Sequence, residues 1–113
     1  MKLVYHKNLS PKKWFSYSIS EQMANIGSEV FRTISWRKKD KKLSQLAFER
    51  SLELFDITIE DPKNLSVKNK EILRAREMWC DFIFGDNQYK QTDKLWQNYF
   101  YAFNFAARLE RVK

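Results

Sequence analysis

Glu49, Glu53, Asp56 and Glu60 stand at spacings of 4, 3 and 4. On a helix such spacings stack the carboxylates along one side, where hard oxygen ligands can hold Mg²⁺ and support nucleotide hydrolysis. Glu53-x-x-Asp56 supplies one half of a two-helix metal site, with Glu77 and Asp81 as conceivable partners. The second half of the pattern is missing. The row therefore also reads as a solvated acidic face, or as one that meets the basic 37–42 region of a neighbouring molecule.

Other chemistries find fewer residues. Nucleophilic catalysis by a Ser–His or Cys–His pair needs a base in reach, and His6 is the one imidazole in the chain, placed in a short leading segment. It reads as a surface or tail histidine without a catalytic role. Clusters of Cys and His for zinc, Glu-x-x-His for a di-iron bundle and a glycine-rich phosphate loop are all missing from the sequence. Cys80 is alone, so no intramolecular disulfide forms, and it reads as a small hydrophobe. No cofactor is expected.

The chain carries 21 basic and 14 acidic side chains in 113 residues, a net charge of +7. Residues 1–42 hold ten basic and three acidic groups, residues 43–60 carry a net charge of −3, and the remainder +3. Lys12, Lys13, Arg37, Lys38, Lys39, Lys41 and Lys42, with Trp14, Phe15 and Trp36 close by, form a candidate nucleic-acid surface. Lysines would neutralise phosphates while bases stack on exposed rings; the alternative is a solvated loop beside core aromatics. Arg50 and Arg76 fall inside apolar arcs, where an unpaired charge is costly, so each should have a carboxylate or carbonyl partner. An inward pair of arginines could also mark an anionic ligand pocket.

The elements that must position these groups are helices. With 2 Gly, 2 Pro and 16% aromatic residues, turn-rich sheet folds, collagenous chains and disordered chains are excluded. The expectation is one all-α domain over 1–113, a bundle of four principal helices spanning about 11–112 behind a lead-in over 1–10. Ser10-Pro11 has the form of a helix cap and first helical position. Ser18 to Glu21 has capping-box spacing, and Ile19, Met23, Ile26, Val30 and Ile34 recur every three or four residues, predicting a helix to about 38. Gly27 shares that face, where it either admits a neighbouring helix or is simply tolerated.

Asp40 is a candidate cap for a helix over 41–60, which Asp61-Pro62 stops. A third helix is predicted over about 65–84 with Gly85 as its C-terminal cap, and a fourth from Thr92-Asp93 to about 111. This last helix is apolar over most of its circumference, which implies burial on several sides, within the bundle or against a second copy. Trp96, Tyr101 and Phe105 are the candidate self-association residues.

Residues 25–30, the run from Leu46 to Ile59, Arg74-Ala75-Arg76-Glu77 and the segment from Gly85 to Tyr89 together resemble a family of small, uncharacterised prokaryotic helical proteins, over about residues 22–109. The resemblance implies a helical fold and supplies no activity. A looser similarity is to HEPN-type helical bundles, which partner nucleotidyltransferases or cleave RNA. Their Arg-x4-6-His motif is absent from this sequence, so such kinship implies a non-catalytic member. The row on 49–60 also resembles in part the paired Glu-x-x-Glu and Glu-x-x-Asp helices of all-helical nucleotide pyrophosphatases.

The reading is of a cytoplasmic, non-catalytic interaction or scaffold bundle that self-associates or binds a protein partner. No run is long enough to cross a membrane and no apolar stretch near the start resembles a signal segment. A basic RNA-binding accessory protein and a Mg-dependent nucleotide hydrolase are the alternatives.

Overall fold

Each helix whose start was predicted from a cap begins where a side-chain oxygen takes up the first free backbone N–H groups. In the computed structural model, which describes residues 3–65 and 67–112, Ser10 caps α1 (Pro11–Phe15) and proline opens it. Ser18 caps α2 (Ile19–Trp36) through a complete capping box with Glu21. The Asp40 carboxylate accepts from the backbone N–H groups of Lys42 and Leu43 at the start of α3 (Lys41–Glu60). Thr92 Oγ1 accepts from Leu95 N at the start of α5 (Asp93–Val112).

Met1, Lys2, Ser66 and Lys113 lie outside the described residues, and with them the ends of the expected 1–113 domain. The third long helix, α4, starts at Val67. A 3-10 turn over Pro62–Asn64 takes the residues after Asp61, whose extended backbone ends α3 as the proline requires. Gly85 follows the last residue of α4 and its N–H donates to Asp81 O at 2.8 Å, the C-terminal position expected of it, without a positive φ. The positive φ values in that loop belong to Asn87 and Lys90, whereas Gly85 lies so close to the Asp81 carbonyl and carboxylate that a Cβ would collide with both. Asp81 in turn accepts from Gln88 N at 2.6 Å.

The four long helices run up and down. Thr33 meets Ser44 and Gln22 meets Asp61 across α2 and α3; Ser51 meets Trp79 and Asp56 meets Arg76 across α3 and α4. Ser18 meets Glu110 and Arg37 meets Asp93 across α2 and α5. The circuit closes where Trp79 and Phe82 of α4 pack on Trp96 of α5, with ring centroids 5.3 and 6.4 Å apart. Gly27 lies where α2 crosses α5: a Cβ there would sit 2.8 Å from Phe100 Cβ, so of its two readings the close approach is the one realised. The described residues are all-α, with no strand.

One core joins all the long helices through Met23, Ile26, Phe55, Ile57, Trp79 and Phe100. At one end of it lies a buried polar knot. Gln22 donates to Trp14 O and Asp61 Oδ2 at 3.0 and 2.7 Å, Asn64 donates to Gln22 Oε1 and Thr58 O, and Trp14 Nε1 donates to Thr58 Oγ1. These bonds tie α1, α2, α3 and the 3-10 turn together.

Candidate binding surfaces

The carboxylate row of α3 is occupied by the protein itself. Residues 4–6 lie across it: Val4 N, Tyr5 N and His6 N donate to the Glu53 carboxylate at 2.7, 3.1 and 2.8 Å, and His6 Nδ1 lies 3.0 Å from it. Tyr5 Oη donates to Glu49 at 2.9 Å. Burial alone would raise the Glu53 carboxyl, but the three backbone N–H groups and the His6 ring hold it below the usual value. Asp56 receives Arg76 Nε at 2.8 Å. Glu77 meets Tyr89, and Asp81 is taken by the loop after α4. The two halves of a metal site do not converge: among the described residues no group of three metal-ligating side chains comes together. Glu60 is exposed at the far end of the row.

Both arginines singled out by their apolar surroundings have the carboxylate partners expected. Arg76 pairs with Asp56, and Arg50 Nε reaches Glu29 Oε1 at 3.3 Å. The same Glu29 oxygen accepts from Arg32 Nη1 at 2.8 Å. Glu29 is 4% exposed, and its Oε2 accepts no hydrogen bond among the described residues. A buried carboxylate that gathers two cations on one oxygen and leaves the other unmatched is a poor stabilising device. It does fix two guanidiniums side by side.

These arginines line an open groove of about 300 Å³ between α2 and α3, with Trp36, Leu43 and Leu46. A second groove of about 240 Å³ lies on the other side of the Trp36 and Arg32 ridge, between Phe31, Ser35 and Lys39. Trp36 is 39% exposed. Lys38, Lys39, Lys41 and Lys42 lie in and beside the turn from α2 to α3, all exposed and in no ion pair among the described residues. Lys41 and Lys42 open α3 with no acidic residue in its first turn. Cations there oppose the helix dipole at about 0.3–1 kcal/mol each.

The rest of the predicted basic surface is dispersed. Arg37 pairs with Asp93 at 3.3 Å and lies 4.7 Å over the Phe82 ring, latching the start of α5. Lys12 and Lys13 belong to α1, whose Trp14 bonds Thr58 near the end of α3. At 1.5 Å per residue Thr58 lies about 25 Å from Lys41. Trp14 is buried and Phe15 half-buried, so Trp36 alone of the three aromatics offers a face.

On α5 the predicted association residues separate. Trp96 is 3% exposed and packs against Trp79, Tyr99 and Phe100; it is a core residue, because its side of the helix closes the bundle. Tyr101 and Phe105 are 58% and 52% exposed, and Leu109 continues their stripe at 51%. At 100° per residue the three fall within roughly an 80° arc, with Lys94 and Arg108 on the same face.

Between α4 and α5 lies a more apolar groove of about 410 Å³, lined by Ala75, Met78, Leu95, Trp96 and Tyr99. Trp96 Nε1 and Tyr99 Oη are buried there without a partner among the described residues. Burial pushes the Tyr99 phenol far above its ordinary range, and the Glu71 carboxylate pushes the same way. Cys80 lines a different groove, with Leu73 and Arg76. Burial raises its thiol above the ordinary value despite Arg76, which does not favour a reactive thiolate.

Sequence reasoning missed Glu29 and Arg32. The signal that could have found them is a glutamate on the buried face of α2 with an arginine three residues later. No helix among the described residues is long and apolar enough to cross a membrane. Comparison with known proteins found no matching family model, no matching curated protein and no matching solved structure.

Proposed function

We propose that the protein is a non-catalytic interaction module that docks helix on helix through α5, a second copy of the chain being the partner. The observation that carries this reading is the stripe of Tyr101, Phe105 and Leu109, three large side chains each more than half exposed on a helix whose other side is core. Surface stripes of this kind mark interaction sites when contiguous, and isologous pairing of one helix face is the commonest way to cover them. Lys94 and Arg108 at the rim are screened in water and oppose pairing only weakly. The structural use of Glu49, Glu53 and Asp56 supports a role without turnover. A cytoplasmic location belongs to the same reading and is supported by the free thiol of Cys80, which a reducing compartment preserves.

Sedimentation velocity over a wide concentration range tests the proposal. The expected result is a concentration-dependent dimer that Tyr101→Ser with Phe105→Ser dissociates at least tenfold, while the melting temperature of the monomer changes little, because exposed substitutions shift stability by only about 0.5 kcal/mol. A single-chain mass at every concentration removes self-association.

A further inference from the structure

We propose that the Trp36 ridge, with the Arg32–Glu29–Arg50 bridge beneath it and the lysines that follow it in the chain, is a binding site for single-stranded nucleic acid. The inference does not depend on pairing through α5. Three independent observations converge on this end of the bundle.

The first is the bridge. Arg32 Nη1 and Arg50 Nε share one Glu29 oxygen, and the other guanidinium N–H groups of both residues, which line the groove, make no hydrogen bond among the described residues. A planar donor fork held by a buried carboxylate is suited to phosphate oxygens, which a guanidinium binds through paired hydrogen bonds. The second is the ridge. Trp36 separates two grooves of about 240 and 300 Å³, and Arg32 lines both. An indole with a basic groove on either side fits consecutive bases, one stacked on the ring while the backbone passes the arginines. Leu43 and Leu46 extend the apolar floor of the larger groove.

The third is charge placement. Lys38 and Lys39 follow the C-terminus of α2, where cations suit the dipole, but Lys41 and Lys42 occupy the first turn of α3, where they oppose it. Their position has no return in local helix stability. Lys39 lines the smaller groove, and Lys38, Lys41 and Lys42 are exposed within six residues of Trp36 in the chain and in no ion pair among the described residues, a charge complement for a polyanion. A single strand is favoured over a duplex because stacking on Trp36 requires unpaired bases. It is favoured over an acidic peptide because the exposed Trp36 ring sits between two grooves that both carry arginine.

The test is a titration of a labelled oligouridylate of about twelve nucleotides by anisotropy, with the indole emission of the protein read in parallel. Trp14, Trp79 and Trp96 are buried, so quenching reports on Trp36. Affinity should fall with salt, with a log–log slope of about −0.7 for each phosphate neutralised, and Lys41→Gln with Lys42→Gln should make the slope shallower by about 1.4. Trp36→Ala should weaken binding about tenfold and Trp36→Phe should restore most of it. Arg32→Gln should weaken it as well, and Tyr101→Ser with Phe105→Ser should leave it unchanged, so the two proposals stand or fall separately. Circular dichroism melting checks that each variant is folded. Binding that ignores salt, equal affinity for a duplex of the same length, or a mononucleotide that reproduces both affinity and quench overturns the proposal. So does polyglutamate that displaces the strand as well as unlabelled oligouridylate does, an outcome that points to an acidic protein partner instead.

Discussion

Glu53 carries more of the fold than its place in an acidic row suggests. One carboxylate collects three backbone N–H groups and an imidazole from residues 4–6, and these hold its pKa below the ordinary 4.5. A depressed carboxyl contributes stability that is present above its unfolded pKa and is lost as pH falls through the folded one. Asp61 is shifted in the same direction: burial raises it, but Lys63 and Gln22 outweigh that and hold it below 3.8. Stability should therefore hold from neutral pH to about 5 and decline below about 4. Glu53→Gln should cost about 1–2 kcal/mol at pH 7, since bonds to a charged acceptor are among the stronger ones. The gap between variant and parent should close in acid, and urea midpoints measured from pH 7 down to 3 check this. A gap that persists unchanged in acid would assign the loss to shape rather than charge. None of this was legible from 49–60 alone, because the segment that binds the row lies more than forty residues away and has no periodicity to announce it.

The long helices, by contrast, were legible because their signals are local. Ser18 with Glu21, Asp40, Pro62 and Thr92 act within one turn of themselves, and α3 lies where its cap and stop place it. Gly27 is a case in which the sequence offered two readings and the crossing of α2 with α5 decides between them. Gly27→Ala gains helix propensity of about 1 kcal/mol, yet the new methyl meets Phe100 Cβ, an atom fixed to the backbone of a buried residue. Overpacking of that kind costs about 1–3 kcal/mol. The expected outcome is net destabilisation of about 1 kcal/mol, measured by chemical denaturation; a more stable variant would show that α5 can shift without loss. Gly85 stands directly after α4 as its local signal places it, but the reason for a glycine there is the nearness of Asp81 and not a left-handed backbone, which only the fold of the following loop reveals.

At the scale of the whole molecule, the sequence placed three aromatic residues beside the basic segment without showing which of them face outward. Most rings do go inward, but Trp36 stays at the basic end, and the acidic row is covered rather than solvated. Pairings such as Arg50 with Glu29 could be anticipated as a need and not as a partner, since the partner is chosen by how α2 and α3 are registered. The seam between α4 and α5 depends on a few rings, chiefly Trp79 and Trp96, whose centroids are 5.3 Å apart at 72°. Two indoles so close and so inclined share their electronic excitation. Their transitions should split into a paired positive and negative band in far-ultraviolet circular dichroism, absent from both Trp79→Phe and Trp96→Phe. The same band followed during stopped-flow refolding would give the moment at which α5 docks on α4, making the closing of the bundle an event with an optical signature of its own.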